Sequence, residues 1–198
     1  MAEKRLKASE RKEEIIKAAI KVVAESNFDK ATIAEIAKEA GVNESLIYQH
    51  FDNKVDLMVS VIDYINKVMS RVTFSTPGLD NPALSSLREA AVTFYESAKF
   101  NVDMLKCVTA SIIASDKKIK ERSLEHVKIS HKFIEGRVRL AMDNNLIDPS
   151  LDVEMIAWAL LANVWMLSMM LIFGESSLMS MERLDKLSRQ LEEMIKPR

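Results

Sequence analysis

The chain has 198 residues, 48% of them hydrophobic and 29% charged, with a formal net charge of −1. That is enough apolar material for a packed core and enough charge for a soluble surface, which excludes a disordered tail; the near-neutral total gives no argument for nucleic acid. Four glycines and four prolines are too few for the tight turns of a sheet protein, so the chain is predicted to be all-α. The single Cys107 excludes an internal disulfide and a cysteine metal cluster and fits a reducing cytoplasm. The stretch Met1-Ala2-Glu3-Lys4-Arg5-Leu6-Lys7 lacks the apolar core of a secretion signal, and the expected location is the cytoplasm.

The first predicted helix covers about 9–26, with Ile15, Ile16, Ala19, Ile20 and Val23 on one stripe. Its approach is locally basic. Between Lys4 and Lys21, the seven cations Lys4, Arg5, Lys7, Arg11, Lys12, Lys17 and Lys21 face Glu10, Glu13 and Glu14, a net +4. A basic arm leading into a helix is one footprint of phosphate contact, although most charge runs are simply solvated faces. Thr32-Ile33-Ala34-Glu35 then reads as a capping box. It opens a short second helix with Ile33, Ile36, Ala37 and Ala40 on its inner face. Gly41 ends that helix, because glycine enters the left-handed conformation without a Cβ clash. Asn43 caps a third helix, with Leu46, Ile47 and Phe51 pointing inward.

Two short helices joined by so tight a turn must cross sharply. Ala37 is small where they approach, Gly41 makes the turn, and Ile47 plugs the angle between them. This is the spacing of a helix-turn-helix. A plain corner in a helical bundle would satisfy the same apolar positions. The exposed set after the turn separates the two readings, because Asn43, Glu44, Ser45, Tyr48, Gln49 and His50 are all polar and suited to a groove.

Residues 31–58, ATIAEIAKEAGVNESLIYQHFDNKVDLM, resemble the DNA-binding signature of the TetR family of transcriptional regulators. Thr32, Ile36-Ala37, Ala40-Gly41-Val42, Tyr48, His50-Phe51 and Lys54 carry the resemblance, and the length and all-helical remainder extend it to the whole chain. It implies that Thr32, Tyr48, His50 and Lys54 contact phosphates. It also implies that the helix from Glu44 to His50 enters the major groove, with Ser45 and Gln49 nearest the base edges. Lys54 opposes the dipole of the next helix, a placement that makes sense beside an anion, and the Gln49 amide can read adenine. Glu44 departs from the basic or small residue common at its position in the family. It either accepts from a cytosine amino group and adds specificity or weakens non-specific binding.

Domain boundaries follow at 1–53 for the helix-turn-helix domain and 54–198 for a larger helical effector-binding and dimerisation domain. Its helices are predicted near 54–71, 82–98, 102–114, 117–143, 152–173 and 180–195, with a break at Thr76-Pro77-Gly78. In the last helix Met181, Leu184, Leu187, Leu191 and Met194 form a narrow seam that calls for a partner helix. Met155 to Phe173 carries no charge, and by length alone could span a membrane. Asn163 in its middle, the acidic Asp148, Asp152 and Glu154 before it, and the lack of a flanking basic cluster oppose that reading. The family resemblance instead implies that the last two helices form a four-helix bundle in a homodimer, with no membrane span.

Phe94, Tyr95, Phe100, Met104, Phe133, Trp158 and Trp165 are candidates to line a pocket for a small hydrophobic effector, although plain core is the commoner role for each, since most buried aromatics only pack. His126 and His131 are five apart and cannot share one helix face, so no metal site is expected. With no glycine-rich phosphate loop and no nucleophile elbow, neither a cofactor nor catalysis is expected. The resemblance therefore implies a ligand-responsive transcriptional regulator, by the family's habit a repressor, that binds a palindromic DNA operator as a homodimer. The alternative is a helical membrane-associated or protein-interaction module without DNA readout.

Overall fold

The computed structural model describes residues 8–74, 84–175 and 180–197. Among these, nine helices run in order: α1 (Ala8–Glu25), α2 (Ile33–Ala40), α3 (Glu44–His50), α4 (Lys54–Phe74), α5 (Leu84–Lys99), α6 (Val102–Ile113), α7 (Lys117–Asp143), α8 (Val153–Ile172) and α9 (Met181–Ile195). No described residue is in a strand. The Thr76-Pro77-Gly78 break and the cations Lys4, Arg5 and Lys7 lie outside the described residues.

The chain divides into two compact units, one of Met1–Lys67 with Asp103–Leu124 and the other of Val68–Val102 with Glu125–Arg198. The first unit is thus not a continuous stretch of chain. Ile15, Ala19 and Val23 of α1 and Ile36 of α2 are buried together with Ile47, Phe51, Leu57, Met58, Val61 and Ile65. Each large aliphatic side chain so buried stabilises the fold by about 1.5–3 kcal/mol before entropy is counted. Leu105, Cys107 and Ala114 from the α6 region and Ile119 of α7 are also buried. Polar contacts bind these distant segments together. The Asp29 carboxylate accepts from the Ser115 backbone N–H at 3.0 Å and from its hydroxyl at 3.0 Å. The Arg122 guanidinium meets Asp63 at 2.5 Å, and the Cys107 thiol donates to the Ile20 carbonyl at 3.3 Å.

The second unit is built around Val138, Ala141 and Ile147, with Ile134, Met142, Leu146, Leu151, Val153, Ile156, Leu160 and Ile195 packed against them. Asn145 ends α7 in the left-handed conformation at φ 57°, which asparagine tolerates better than most residues. The chain then turns so that the Asp148 N–H donates to the Ile195 carbonyl at 2.8 Å. Helix α5 packs on α8 and α9. On α7, His131 is buried and stacks on Trp158 of α8 at 4.2 Å between ring centroids. Its Nε2 lies 3.4 Å from the Glu154 carbonyl oxygen.

Helix α8 is long and apolar enough to cross a membrane, and 22% of that stretch is buried within the chain. Asp152 caps it, accepting from the N–H groups of Glu154 and Met155. The Asn163 amide donates to the Ala159 carbonyl of its own helix at 2.8 Å.

Candidate nucleic-acid interface

The α2–α3 corner is fixed by its caps. Thr32 Oγ1 accepts from the Glu35 N–H at 3.2 Å, while the Glu35 carboxylate accepts from both the Thr32 N–H at 2.9 Å and the Thr32 hydroxyl at 2.8 Å. These donors hold the Glu35 carboxyl below its ordinary range, the hydroxyl contributing most. At the other end Gly41 sits at φ 65°, ψ 33°. That left-handed residue turns the Val42 N–H back onto the Ala37 carbonyl at 2.9 Å. Asn43 Oδ1 then accepts from the Leu46 N–H at 2.9 Å and starts α3. Ala37 and Ile47 are buried in the angle, as their spacing predicts; Leu46 is only half-buried.

One face of α3 is left to solvent. Asn43, Glu44, Ser45, Tyr48 and Gln49 are exposed, and His50 is half-buried with its ring tilted against Phe51. Tyr48 keeps 53% of its surface accessible, a large exposure for an aromatic ring. Exposed polar side chains on a short helix held by two capped ends form a surface whose geometry is preset, which is what a groove reader requires.

The implied phosphate contacts start from occupied positions. Both Thr32 protons are given to Glu35, so an anion must displace a capping bond to reach them. Lys54 Nζ donates to the Asp29 carbonyl at 2.9 Å, leaving two of its three donors for another acceptor. On α1, Arg11 pairs with Glu14 at 2.8 Å, Lys17 with Glu13 at 2.6 Å and Lys21 with Glu39 at 2.9 Å. Lys12 lies over the Phe51 ring at 4.8 Å. Of the four cations on α1, three are therefore paired with carboxylates, Lys21 with Glu39 of α2.

The effector candidates are scattered in exposure. Phe94 and Tyr95 are buried, Phe133 and Trp165 are half-buried, and Trp158 is 41% exposed beside His131. Phe100, at 85% exposure, lies just past the end of α5. Met104 is half-buried on α6 and belongs to the other compact unit. Burial drives the Cys107 thiol up to about 12, so it carries no thiolate at neutral pH. Asp29 with Ser115, Arg122 with Asp63 and Ser45 with Asn43 escaped the sequence reading. Only the last had a local signal, a serine two residues after a capping asparagine.

An all-helical chain that opens on a capped helix-turn-helix and continues into a larger set of helices defines a class of architecture. Residues 15–61 match the family described as bacterial regulatory proteins, tetR family. Among curated proteins the chain is 30% identical over 116 residues to the uncharacterized HTH-type transcriptional regulator YerO of Bacillus subtilis, covering 57% of this chain and 40% of that one. It is 42% identical over 48 residues to the fatty acid metabolism regulator protein of Bacillus subtilis, 24% of this chain and 25% of that one. The chain thus spans less than half the length of these relatives. Among solved structures, a TetR family transcription regulator from Marinobacter aquaeolei VT8 superposes with TM-score 0.76 at 13% identity, covering 96% of this chain and 97% of that one. The regulator FadR from Bacillus subtilis, in complex with stearoyl-CoA, superposes with TM-score 0.73 at 19% identity over 92% and 96% of the two chains. Residues 15–61 thus carry a domain of the tetR family of bacterial regulatory proteins, and the chain as a whole shares the fold of these solved structures.

Proposed function

We propose that this protein is a ligand-responsive transcriptional repressor acting from the cytoplasm, a homodimer that binds a near-palindromic DNA operator through α3. The observation that carries this is the capped α2–α3 corner with its exposed face of Glu44, Ser45, Tyr48 and Gln49. A purely structural corner needs the caps and the buried Ala37 and Ile47 but has no use for that polar face. Ser45 and Gln49 lie four residues apart on one side of α3 and reach base edges. Thr32, Tyr48, His50 and Lys54 hold the backbone on either side, and Asn43 caps the helix that carries the reading face.

The dimer forms through α8 and α9. Met155, Trp158 and Met166 of α8 are exposed, and a second copy covers this apolar face. Two reading heads held this way contact half-sites one helical turn, or a multiple, apart. The effector is small and largely hydrophobic, and it binds the helical part of the chain beside Phe94, Phe133 and Trp165. The stearoyl-CoA bound by FadR, a protein of the same fold, makes long-chain acyl-CoA the first compound to test. Effector binding shifts α4, which is continuous from one compact unit to the other. It must favour the DNA-incompetent state to have any effect.

Selection of duplexes from a random pool tests the reading. An enriched palindrome whose binding falls steeply with salt, through counterion release, supports it. A flat pool and salt-insensitive binding refute it and leave a helical interaction module. Release of the enriched duplex by acyl-CoA, and not by polar sugars, supports the effector class; the reverse pattern removes it.

A further inference from the structure

The DNA-binding reading of α3 is the basis of one further step, which concerns what Ser45 can read. A serine hydroxyl ordinarily discriminates poorly, because it both donates and accepts and can adapt to any base edge. Here its proton is committed. Asn43 Oδ1 accepts the Leu46 N–H at 2.9 Å, which places the amide oxygen, not the nitrogen, against the start of α3. Ser45 Oγ lies 2.8 Å from that same oxygen. A carbonyl oxygen has no proton to give, so the hydroxyl hydrogen between them belongs to Ser45. What Ser45 turns outward is two lone pairs. Its neighbour Glu44, exposed in the same first turn, is a carboxylate and likewise only accepts.

We infer that Ser45 is a specificity-determining residue that reads the groove as an acceptor only, so that the base it faces must offer an exocyclic amino group, adenine N6 or cytosine N4. A guanine O6 or thymine O4 at that place meets lone pair with lone pair. Ser45 could serve it only by giving up its bond to Asn43, one hydrogen bond lost for one gained, and the keto base would win nothing. The cap of α3 thereby converts an adaptable side chain into a discriminating one. Asn43 is a positioning residue in this scheme, acting through Ser45.

The test uses the full chain and the enriched operator, comparing the wild type with Ser45→Ala and Asn43→Gly; glycine at a helix N-cap costs only a few tenths of a kcal/mol against asparagine, so α3 is retained. One base pair in each half-site should lose its preference in the Ser45→Ala selection. At that pair the amino group is then deleted, with purine replacing adenine or pyrimidin-2-one replacing cytosine. Wild-type binding should weaken about 2- to 12-fold, the span of one net hydrogen bond, and Ser45→Ala binding should not change. Inverting the same pair, which brings a keto oxygen to Ser45, should penalise the wild type and be tolerated by Asn43→Gly, whose serine is free to donate. The inference is overturned if no pair responds to Ser45→Ala, if amino deletion costs both proteins equally, or if Asn43→Gly rejects the inverted pair as the wild type does. A wild-type pool without enrichment is distinct from all of these and overturns the DNA-binding reading, and this inference with it.

Discussion

Gly41→Ala isolates the turn of the helix-turn-helix from everything packed around it. A Cβ placed on Gly41 meets no atom within 4 Å, so the substitution causes no clash. What it does meet is the backbone: φ is 65°, a region that costs an L-residue roughly 1–2 kcal/mol. Alanine also restricts the unfolded chain, which returns about 0.4–1 kcal/mol. The net expectation is a destabilisation of about 1 kcal/mol, or a fall in Tm of roughly 2–4 °C for a chain of this size. Gly136 supplies the opposite sign. It lies exposed in the interior of α7, has no positive φ, and its added Cβ also meets nothing within 4 Å. Gly136→Ala should therefore stabilise by about 0.5–1 kcal/mol. Thermal and urea unfolding followed by far-ultraviolet circular dichroism measure both, and Gly41→Asn should fall between Gly41→Ala and the wild type because asparagine tolerates the left-handed region. If Gly41→Ala is as stable as the wild type, or both alanine variants lose stability alike, then the left-handed turn is not what glycine supplies at 41.

Other outcomes follow from single contacts. Lys54→Met should weaken duplex binding for every sequence and reduce the salt slope by about one, measured by fluorescence anisotropy across salt; an unchanged slope removes Lys54 from phosphate contact. Cys107, pushed up to about 12 by burial, should react with a thiol reagent far more slowly in the native protein than in denaturant. Equal rates would mean that the thiol is open to solvent. Glu35 is held below its ordinary range by Thr32, so its contribution is present above the unfolded carboxylate range near 4.3 and is lost as pH falls through the lowered folded value. The stability gap between the wild type and Glu35→Gln, read by urea titration at several pH values, should shrink on acidification and would refute the capping assignment if it grew. Met166→Glu, on the exposed face of α8, should yield monomers in sedimentation if a second copy covers that face; an unchanged dimer would place the interface elsewhere.

Local rules carried most of the fold. Helix α7 occupies Lys117–Asp143, the predicted range, and α3 begins where Asn43 can cap it. Apolar period and cap chemistry act within a few residues of chain, which is why they can be read directly. Partners across long separations cannot. Nothing near Asp29 in the sequence points to Ser115, and nothing near Asp63 points to Arg122, since folding alone brings those segments together. The same limit governs the charge of α1, where counting lysines gave the right total while the pairs with Glu13, Glu14 and Glu39 decided what remained for a ligand. Aromatic identity was equally blind to burial, since Phe94 is enclosed and Phe100, six residues on, is not.

Helix α8 shows how an apolar surface can be assigned a partner from its ends. Its stretch from Met155 to Phe173 has no charge, and its exposed Met155, Trp158 and Met166 leave apolar area that water does not favour. Lipid or a second protein surface would satisfy those side chains equally well, so the middle of the helix cannot choose between them. The ends can. Asp152 caps the first turn with its carboxylate and Glu154 follows, while the last turn holds no basic residue to anchor in lipid headgroups. Asn163, in the middle, bonds to its own helix, which suits protein packing as well as lipid and adds no weight to either. Along one side Ala157, Leu161 and Leu171 are already buried within the chain, and His131 stacks on Trp158 from α7. One flank engaged by its own fold and acidic groups at its start favour the proposed second copy over lipid as the cover for this helix. The other helix of the proposed dimer is α9, where Leu184 is buried and Met194 is exposed.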